Sequence, residues 1–574
     1  GRGRIIATGR DTKFGAMVRL MRSADCETKT ALQLELDKLA GQLTIWSGCL
    51  IVAISLFTFF KGYLFYPTDQ RIPLLQIFTT AVSLAVAAIP EGLPVVCTVT
   101  MALAVRRLAK QKVIVKRMGA VEAMGSVGMI CFDKTGTLTV NRLKVARFAF
   151  EEKQLDEQEF LRLSASCTDV TVLHDGTLLG NAMDKCLVLM LKEKYPNVDL
   201  VEKRDAVLFS SERRFMRVSL RDGREVSKGA IESFDNVPEE YSDLCRDWSR
   251  EGLRCIGVGV AKTDSDKSVF IGLLGFMDTV RPTAKQLIKT LQSDFNIKPV
   301  MLTGDSKETA MAIGRLLGIE SSNVKSRQSP SEKLTFVADM NQLVSLAMVG
   351  DGVNDGAAVK KAQVGIAMGG VNSTDVAREA ADIVLLDDEL VGIVSVVKEG
   401  RMMLCNVQRF LGFQLSSSLA SLLLALLMPD KLTPIALLIL NVVMDGPPAQ
   451  SLAMTRVCDA DLHTRRTIDV SDRKWIFKCA FKGVLTCVLT VIYGDPLPAL
   501  VVLSIANAYS WSFPDYRNVY LAGCSVVLVL FLILADCVSA FGKYVNIQIV
   551  NWPSLGVMMF VYFMMARFVD TLLG

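Results

Sequence analysis

Histidine is nearly missing from this chain. Its 574 residues hold two, His174 and His463, far apart in sequence. A histidine-based metal centre is therefore excluded, and both rings are expected at the surface. Cysteine is present at 14 positions, but no two form a Cys-x-x-Cys pair and several fall inside apolar runs. That argues against a zinc site or a disulfide framework and for reduced thiols. A strong charge imbalance is lacking too. The net charge of +5 is small for this length, and Lys and Arg form no basic stripe, so a nucleic-acid partner has no support. The opening residues lack the pattern of a secretory signal peptide and begin with Gly1 rather than Met. No short-period repeat or low-complexity segment is visible.

What is present is apolar residue, 51% of the total, unevenly spread. Residues 1–42, 106–400 and 455–474 are rich in charge and glycine. Residues 43–105, 401–454 and 475–574 carry long apolar runs. This is the pattern of a membrane protein in a lipid bilayer with a large soluble insert. Seven spans are expected, at 43–60, 74–105, 407–428, 433–453, 475–493, 519–541 and 552–572. A weaker stretch at 497–508 is too short to cross alone. The sequence RRLAKQK after the second span places the insert on the cytoplasmic side.

Within the insert, ICFDKT at 130–135 reads as a buried strand ending in a loop. From 146 to 276 short strands alternate with helices. From 281 to 395 the order is regular: KPVMLTGD, helix, SLAMVGDG, helix, QVGIAMG, helix, DIVLL. Short, continuously apolar strands ending in Gly and Asp predict a parallel sheet with its working loops at the carboxyl ends of the strands.

Those loops carry the chemistry. In DKTGTLT, Asp133 stands at a strand end as a nucleophile toward a γ-phosphate, and Gly136 lets the backbone approach phosphate closely. Thr135 offers a carbonyl and a hydroxyl. TGD brings Thr303 and Gly304 as phosphate donors, with Asp305 beside them on the nucleotide. Lys333 in SPSEKL supplies a cation. GDGVND brings Asp351 and Asp355 for Mg²⁺ and Asn354 for a phosphate oxygen. One or two carboxylates plus phosphate oxygens are the usual shell of Mg²⁺. Asp133, Thr135, Asp351 and Asp355 form the expected Mg²⁺ set, and Asp133, Lys333, Thr303 and Asp351 the catalytic set.

These four loops, in this order, resemble the P-type cation-transporting ATPases of the haloacid-dehalogenase-like superfamily. The resemblance implies ATP and Mg²⁺ as cofactors, an aspartyl phosphate at Asp133, and a hinge at Asp278, Arg281 and Pro282. It implies a membrane α-helical bundle plus α/β cytoplasmic domains, the phosphorylation domain being Rossmann-like with an inserted α+β nucleotide-binding domain. The implied division is 1–30 as the remnant of an actuator domain, 31–110 as the family's third and fourth membrane helices, 111–145 and 278–400 as the phosphorylation domain, 146–277 as the nucleotide-binding domain, and 401–574 as the C-terminal membrane helices. In the inserted domain the resemblance points to Phe209 stacking on the purine, Arg214 on phosphate, Lys228 in KGA at the adenine pocket, and Arg254 and Arg327 on phosphate and ribose. GNAMDKCL at 180–187 departs from the family pattern, and no contact is carried over from it. A Thr-Gly-Glu loop of an actuator domain is not found, and GRGRIIATGRDTKFGAM reads as the end of such a domain.

The second apolar stretch contains VAAIPEGLP. An intramembrane Glu91 is costly and so a functional candidate. Pro90 and Pro94 free backbone carbonyls, which suit a hard dication. Asn441 and Asp445, four apart, share one helix face. These residues resemble the single transport site of calcium pumps, implying as ligands the carbonyls of Val86, Ala87 and Ile89 with Glu91, Asn441 and Asp445. Ser418 and Ser421 stand where two-site pumps place an amide and a carboxylate, so one ion per cycle is expected. FQLSSS and MDGPPAQS resemble the secretory-pathway Ca²⁺/Mn²⁺ pumps of the Golgi, where the residue matching Gln450 is tied to Mn²⁺ tolerance. A monomeric, multi-pass pump moving Ca²⁺ and Mn²⁺ into the Golgi lumen is the expectation. The alternatives are an incomplete or regulatory fragment of such a pump and a membrane-tethered phosphatase. Against the phosphatase, position 135 is Thr where that class carries a second Asp.

Overall fold

Runs of apolar, often β-branched residues closed by Gly or Asp set the architecture of the soluble half. In the computed structural model of this protein the described residues are 93–151, 155–172, 178–207, 215–234, 237–262, 268–370, 373–387, 389–428, 447–452, 472–512, 518–537 and 552–573, with scattered single positions elsewhere. The chain divides into two compact units, Gly1–Cys26 with Gly128–Val391 and Glu27–Val127 with Gly392–Gly574.

In the first unit twelve strands matter for the site. They are β1 (Met129–Asp133), β2 (Thr139–Phe150), β3 (Lys203–Val207), β4 (Phe215–Leu220), β5 (Arg224–Gly229), β6 (Arg254–Lys262), β7 (Val269–Val280), β8 (Lys298–Leu302), β9 (Val324–Lys325), β10 (Leu346–Gly350), β11 (Val364–Met368) and β12 (Ile383–Leu385). Six lie parallel in the order β12-β11-β10-β1-β8-β9. Every residue of β1, β10 and β11 is buried, as expected where helices cover both faces of a parallel sheet. Their apolar side chains pack with Val337 of the helix Pro330–Leu343 in one cluster. The other six form an antiparallel sheet ordered β2-β7-β6-β5-β4-β3, inserted in the chain between β1 and β8. There β4 alternates half-buried and buried residues, the signature of a sheet with one covered face.

Register decides where the chemistry falls. Leu302 of β8 pairs with Asp133, and Val349 of β10 with Phe132. The residues that follow these strands, Thr303 and Asp351, therefore emerge beside Asp133 at one edge. Three of the helices that follow start on a side-chain cap. Ser306 caps Lys307–Leu317, Ser329 makes a full capping box with Glu332 ahead of Pro330–Leu343, and Thr374 caps Asp375–Ala380.

In the second unit, three helices among the described residues are long and apolar enough to cross a membrane: Val391–Leu427, Arg473–Tyr493 and Pro553–Leu572. The stretch at 497–508 is part of a longer helix than the apolar run suggested, Pro496–Ser512. Pro496 and Pro498 fit a first helical turn, and polar Asn507, Ser510 and Ser512 continue the helix because they are buried with partners. Half or more of each span expected at 43–60, 74–105 and 433–453 lies outside the described residues.

Candidate active site

The turn after β1 builds the site. Lys134–Leu138 winds tightly, with Gly136 at φ +77°, a conformation open to glycine at little cost. A Cβ on Gly136 would stand 1.7 Å from Asp351 Oδ2, so only glycine lets the turn meet this carboxylate. The turn is pinned from outside. Gly136 donates its N–H to Thr139 Oγ1 at 3.3 Å, and Thr139 donates to Asp278 Oδ2 at 2.6 Å. Arg281 donates to the carbonyls of Gly136 (2.8 Å) and Thr137 (2.9 Å). Lys134 pairs with Asp305 at 2.6 Å and lies 3.6 Å from Asp278.

At the centre, Asp133 is 6% exposed and Lys333 5%. Lys333 Nζ donates to Asp133 Oδ1 at 2.5 Å and to Asp355 Oδ1 at 2.7 Å. One carboxylate oxygen each from Asp133, Asp351 and Asp355 lie within 4.8 Å of one another. Lys333 thus bridges Asp133 and Asp355, with Asp351 close to both. Burial, reinforced by Asp355, pushes the Asp133 carboxyl up to about 7 against the pull of Lys333. Burial alone would lower Lys333, but Asp133 and Asp355 carry it above the ordinary lysine range. The donor set is hard, anionic and short of positive charge, which fits Mg²⁺.

Asp133, Thr135, Thr303, Gly304, Asp305, Lys333, Asp351, Asn354 and Asp355 all line one cavity of about 430 Å³. Thr374 lines it as well, and the sequence reading missed it. Its N–H and hydroxyl reach the Asp351 carbonyl at 3.0 and 3.2 Å. The available signal was its place as a helix cap before DVAREA. Lys134 and Thr139 were also unassigned, although both belong to DKTGTLT. Arg254 lines an adjoining cavity of about 700 Å³ together with Lys134, Thr135, Asp278 and Asp305. Arg327, at φ +53°, donates its backbone N–H to the Asp305 carbonyl at 2.8 Å. Asp278, Arg281 and Pro282 lie where β7 gives way to the helix Pro282–Ser293, whose first residue is Pro282.

Lys228 is placed apart from these groups, buried in β5 and paired with Asp184. Asp184 also accepts the Asp169 N–H at 3.1 Å. It belongs to GNAMDKCL, the stretch from which no contact was expected. Phe209 and Arg214 fall outside the described residues, as do Val86, Ala87, Ile89, Glu91, Asn441 and Asp445. Ser418 is half-buried and Ser421 buried on the helix Val391–Leu427.

Residues 127–363 match the sequence profile of haloacid dehalogenase-like hydrolases. The "calcium-transporting ATPase type 2C member 2" of Rattus norvegicus is 34% identical over 558 residues, 82% of this chain and 57% of that protein. The "calcium-transporting ATPase 1" of Schizosaccharomyces pombe is 34% identical over 80% of this chain and 59% of its own. Over about four fifths of its length the chain is similar to proteins named calcium-transporting ATPases. It spans less than two thirds of the length of these curated relatives. The fold agrees with a solved zinc-transporting PIB-type ATPase in its E2.Pi state, at a TM-score of 0.63 and 23% identity over 77% of this chain and 66% of that one. The chain thus holds an α/β unit with an inserted antiparallel sheet and, in the same chain, membrane-length apolar helices.

Proposed function

We propose that this chain is a P-type ATPase that takes the γ-phosphoryl group of ATP onto Asp133 and uses the cycle to move a divalent cation across a membrane. The observation that carries the reading is the buried, charge-deficient cluster of Asp133, Asp351 and Asp355 around Lys333. An Asp133 carboxylate oxygen attacks the γ-phosphorus. The bond from that phosphorus to the bridging oxygen breaks, ADP leaves, and an acyl phosphate remains on Asp133. Lys333, Thr303, Gly304 and Asn354 stabilise charge on the transferring oxygens. Asp133, Thr135, Asp351 and Asp355 hold Mg²⁺, which when bound offsets phosphate charge. Phe209, Arg214, Lys228, Arg254, Asp305 and Arg327 hold the rest of the nucleotide. Residues 111–145 and 278–400 serve as the phosphorylation domain, and 146–277 as the nucleotide-binding domain.

The names of the relatives support calcium as the transported ion. The sequence motifs extend this to Mn²⁺, to one ion per ATP, and to the Golgi membrane of the secretory pathway. The ligands in this reading are the carbonyls of Val86, Ala87 and Ile89 with Glu91, Asn441 and Asp445. Labelling with γ-labelled ATP tests the reading. The expected result is an acid-stable label that responds to Ca²⁺ or Mn²⁺ and is absent in Asp133→Asn. A wild-type chain that takes no label in the presence of Mg²⁺ would sink it.

A further inference from the structure

Eleven of the cysteines among the described residues are free thiols. In the first unit burial pushes Cys131, Cys167 and Cys186 toward inert thiol. Cys167 and Cys186, in the first unit, stand at about 11. Cys245 and Cys255 are set differently. Cys245 lies on the helix Glu239–Arg250, and Cys255 is the second residue of β6. Both half-buried side chains pack on the core around Trp248 and Leu253. The Cys255 thiol donates to the Cys245 carbonyl oxygen at 3.6 Å, and Ser249 Oγ donates to Cys255 Sγ at 3.8 Å. The neighbouring Cys255 thiol draws Cys245 down to about 7, while burial works against it. The thiolate is the reactive form of cysteine, so this pair is chemically unlike the buried thiols.

Position adds a consequence. Cys245, Cys255 and Arg254 line the same cavity of about 700 Å³. The turn joining helix to strand has little slack. Gly252 sits at φ +90°, and a Cβ there would stand 2.9 Å from Ala312 Cβ. Leu253 donates its N–H to the Trp248 carbonyl at 2.9 Å. Any closure of the two sulfurs therefore acts on Arg254, the residue between this turn and Cys255.

The geometry points to Cys245 and Cys255 as a peroxide-sensitive dithiol whose closure to a disulfide weakens nucleotide binding at Arg254. The coupling rests on the nucleotide reading of Arg254 given above. The Cys245 thiolate attacks one oxygen of a hydroperoxide, breaking the O–O bond; with hydrogen peroxide, the sulfenic acid forms and hydroxide leaves, to be protonated to water. The Cys255 thiol then attacks the sulfenyl sulfur, forming S–S and releasing a second water. Two thiols are oxidised and one hydrogen peroxide is reduced to two waters.

The full chain in detergent, treated with hydrogen peroxide, is the test. Peptide mapping should show Cys245 joined to Cys255 with the loss of two hydrogens, reversed by dithiothreitol. A fluorescent ATP analogue should bind about tenfold more weakly to the oxidised chain, the size of one lost charge-assisted hydrogen bond, and recover on reduction. Cys245→Ser should keep its nucleotide affinity through the peroxide treatment. A folded chain that yields no Cys245–Cys255 peptide overturns the proposal, as does a disulfide that leaves affinity unchanged. A reduced chain that binds no analogue overturns the nucleotide reading and the coupling with it, while the peptide map still decides the dithiol.

Discussion

The two sheets of the first unit each bury a lysine among carboxylates, and they balance the charge differently. At the edge of the parallel sheet Lys333 meets Asp133 and Asp355, with Asp351 alongside. In the antiparallel sheet Lys228 meets Asp184. The first cluster carries an excess of negative charge in a place with little water. The second is a neutral pair. A buried excess is costly unless a counter-charge arrives, whereas a neutral pair is already satisfied. The contrast separates a cluster that a cation would complete from a pair that balances itself.

The sharpest way to break the comparison is at the turn that makes the parallel edge crowded. Gly136→Ala must move either the turn or Asp351, because the new methyl would overlap Asp351 Oδ2. A displacement of about 1 Å at a reacting centre costs on the order of a hundredfold in rate. Phosphoenzyme formation should fall by about that factor, read by quench-flow labelling, with circular dichroism unchanged. A Gly136→Ala chain that labels at the wild-type rate would mean the close approach has no catalytic part.

The two lysines should respond differently to removal. Lys228→Met leaves Asp184 buried without its partner, and breaking a buried pair costs about 3–5 kcal/mol. The double change Lys228→Met with Asp184→Leu should recover most of that. Lys333→Met also strands carboxylates, but there Mg²⁺ can supply the missing charge. Thermal unfolding with and without millimolar Mg²⁺ distinguishes them. Mg²⁺ should restore much of the stability of Lys333→Met and none of that of Lys228→Met. Equal rescue of both would erase the distinction between excess and balance.

A smaller effect follows from protonation. Asp133 is held up to about 7 by burial, so in metal-free protein below that pH it keeps a proton that Mg²⁺ must displace. Mg²⁺ binding should release close to one proton at pH 6 and much less at pH 8.5, measured by calorimetry in buffers of different ionisation enthalpy. The sign for stability is that of a raised acid. Its favourable share is complete below the ordinary carboxylate range and is lost as pH rises through about 7. Mg²⁺ should therefore raise Tm more at pH 8 than at pH 6. A Tm shift independent of pH would place the proton elsewhere.

The parallel edge was legible in sequence because each of its parts is local. A strand ends, Gly or Asp follows, and the parallel register brings successive strand ends to one edge without further information. Asp133, Thr303 and Asp351 could be read in this way, and Lys333 from SPSEKL at the start of a helix. The Lys228–Asp184 pair could not. Its members are 44 residues apart, on a strand and a helix, and only the packed sheet puts them together. Arg281 was read as part of a hinge, yet its guanidinium holds the carbonyls of the Asp133 turn, a contact across 145 residues. Cys245 and Cys255 lie ten residues apart, but their meeting depends on the tight turn at Gly252. Spacing exposes chemistry that recurs along the chain and hides chemistry that depends on how distant elements close on each other.

The smallest test asks whether helix caps matter equally in the two settings. Ser329 begins the helix that carries Lys333, and Asn181 begins the helix Ala182–Lys194 that carries Asp184. Ser329 accepts the Glu332 N–H while Glu332 accepts the Ser329 N–H at 2.7 Å. Asn181 makes one such bond, from the Met183 N–H at 3.1 Å. Ser329→Ala should cost about 1 kcal/mol and Asn181→Ala somewhat less, since only the first loses a reciprocal arrangement. Both losses should appear in chemical denaturation. The labelling rate at saturating Mg-ATP should barely move in either, because Lys333 is also held by Asp133 and Asp355. A large loss of labelling in Ser329→Ala would mean that the cap, rather than the carboxylates, sets the position of Lys333. The excess charge would then attract a cation without placing the lysine.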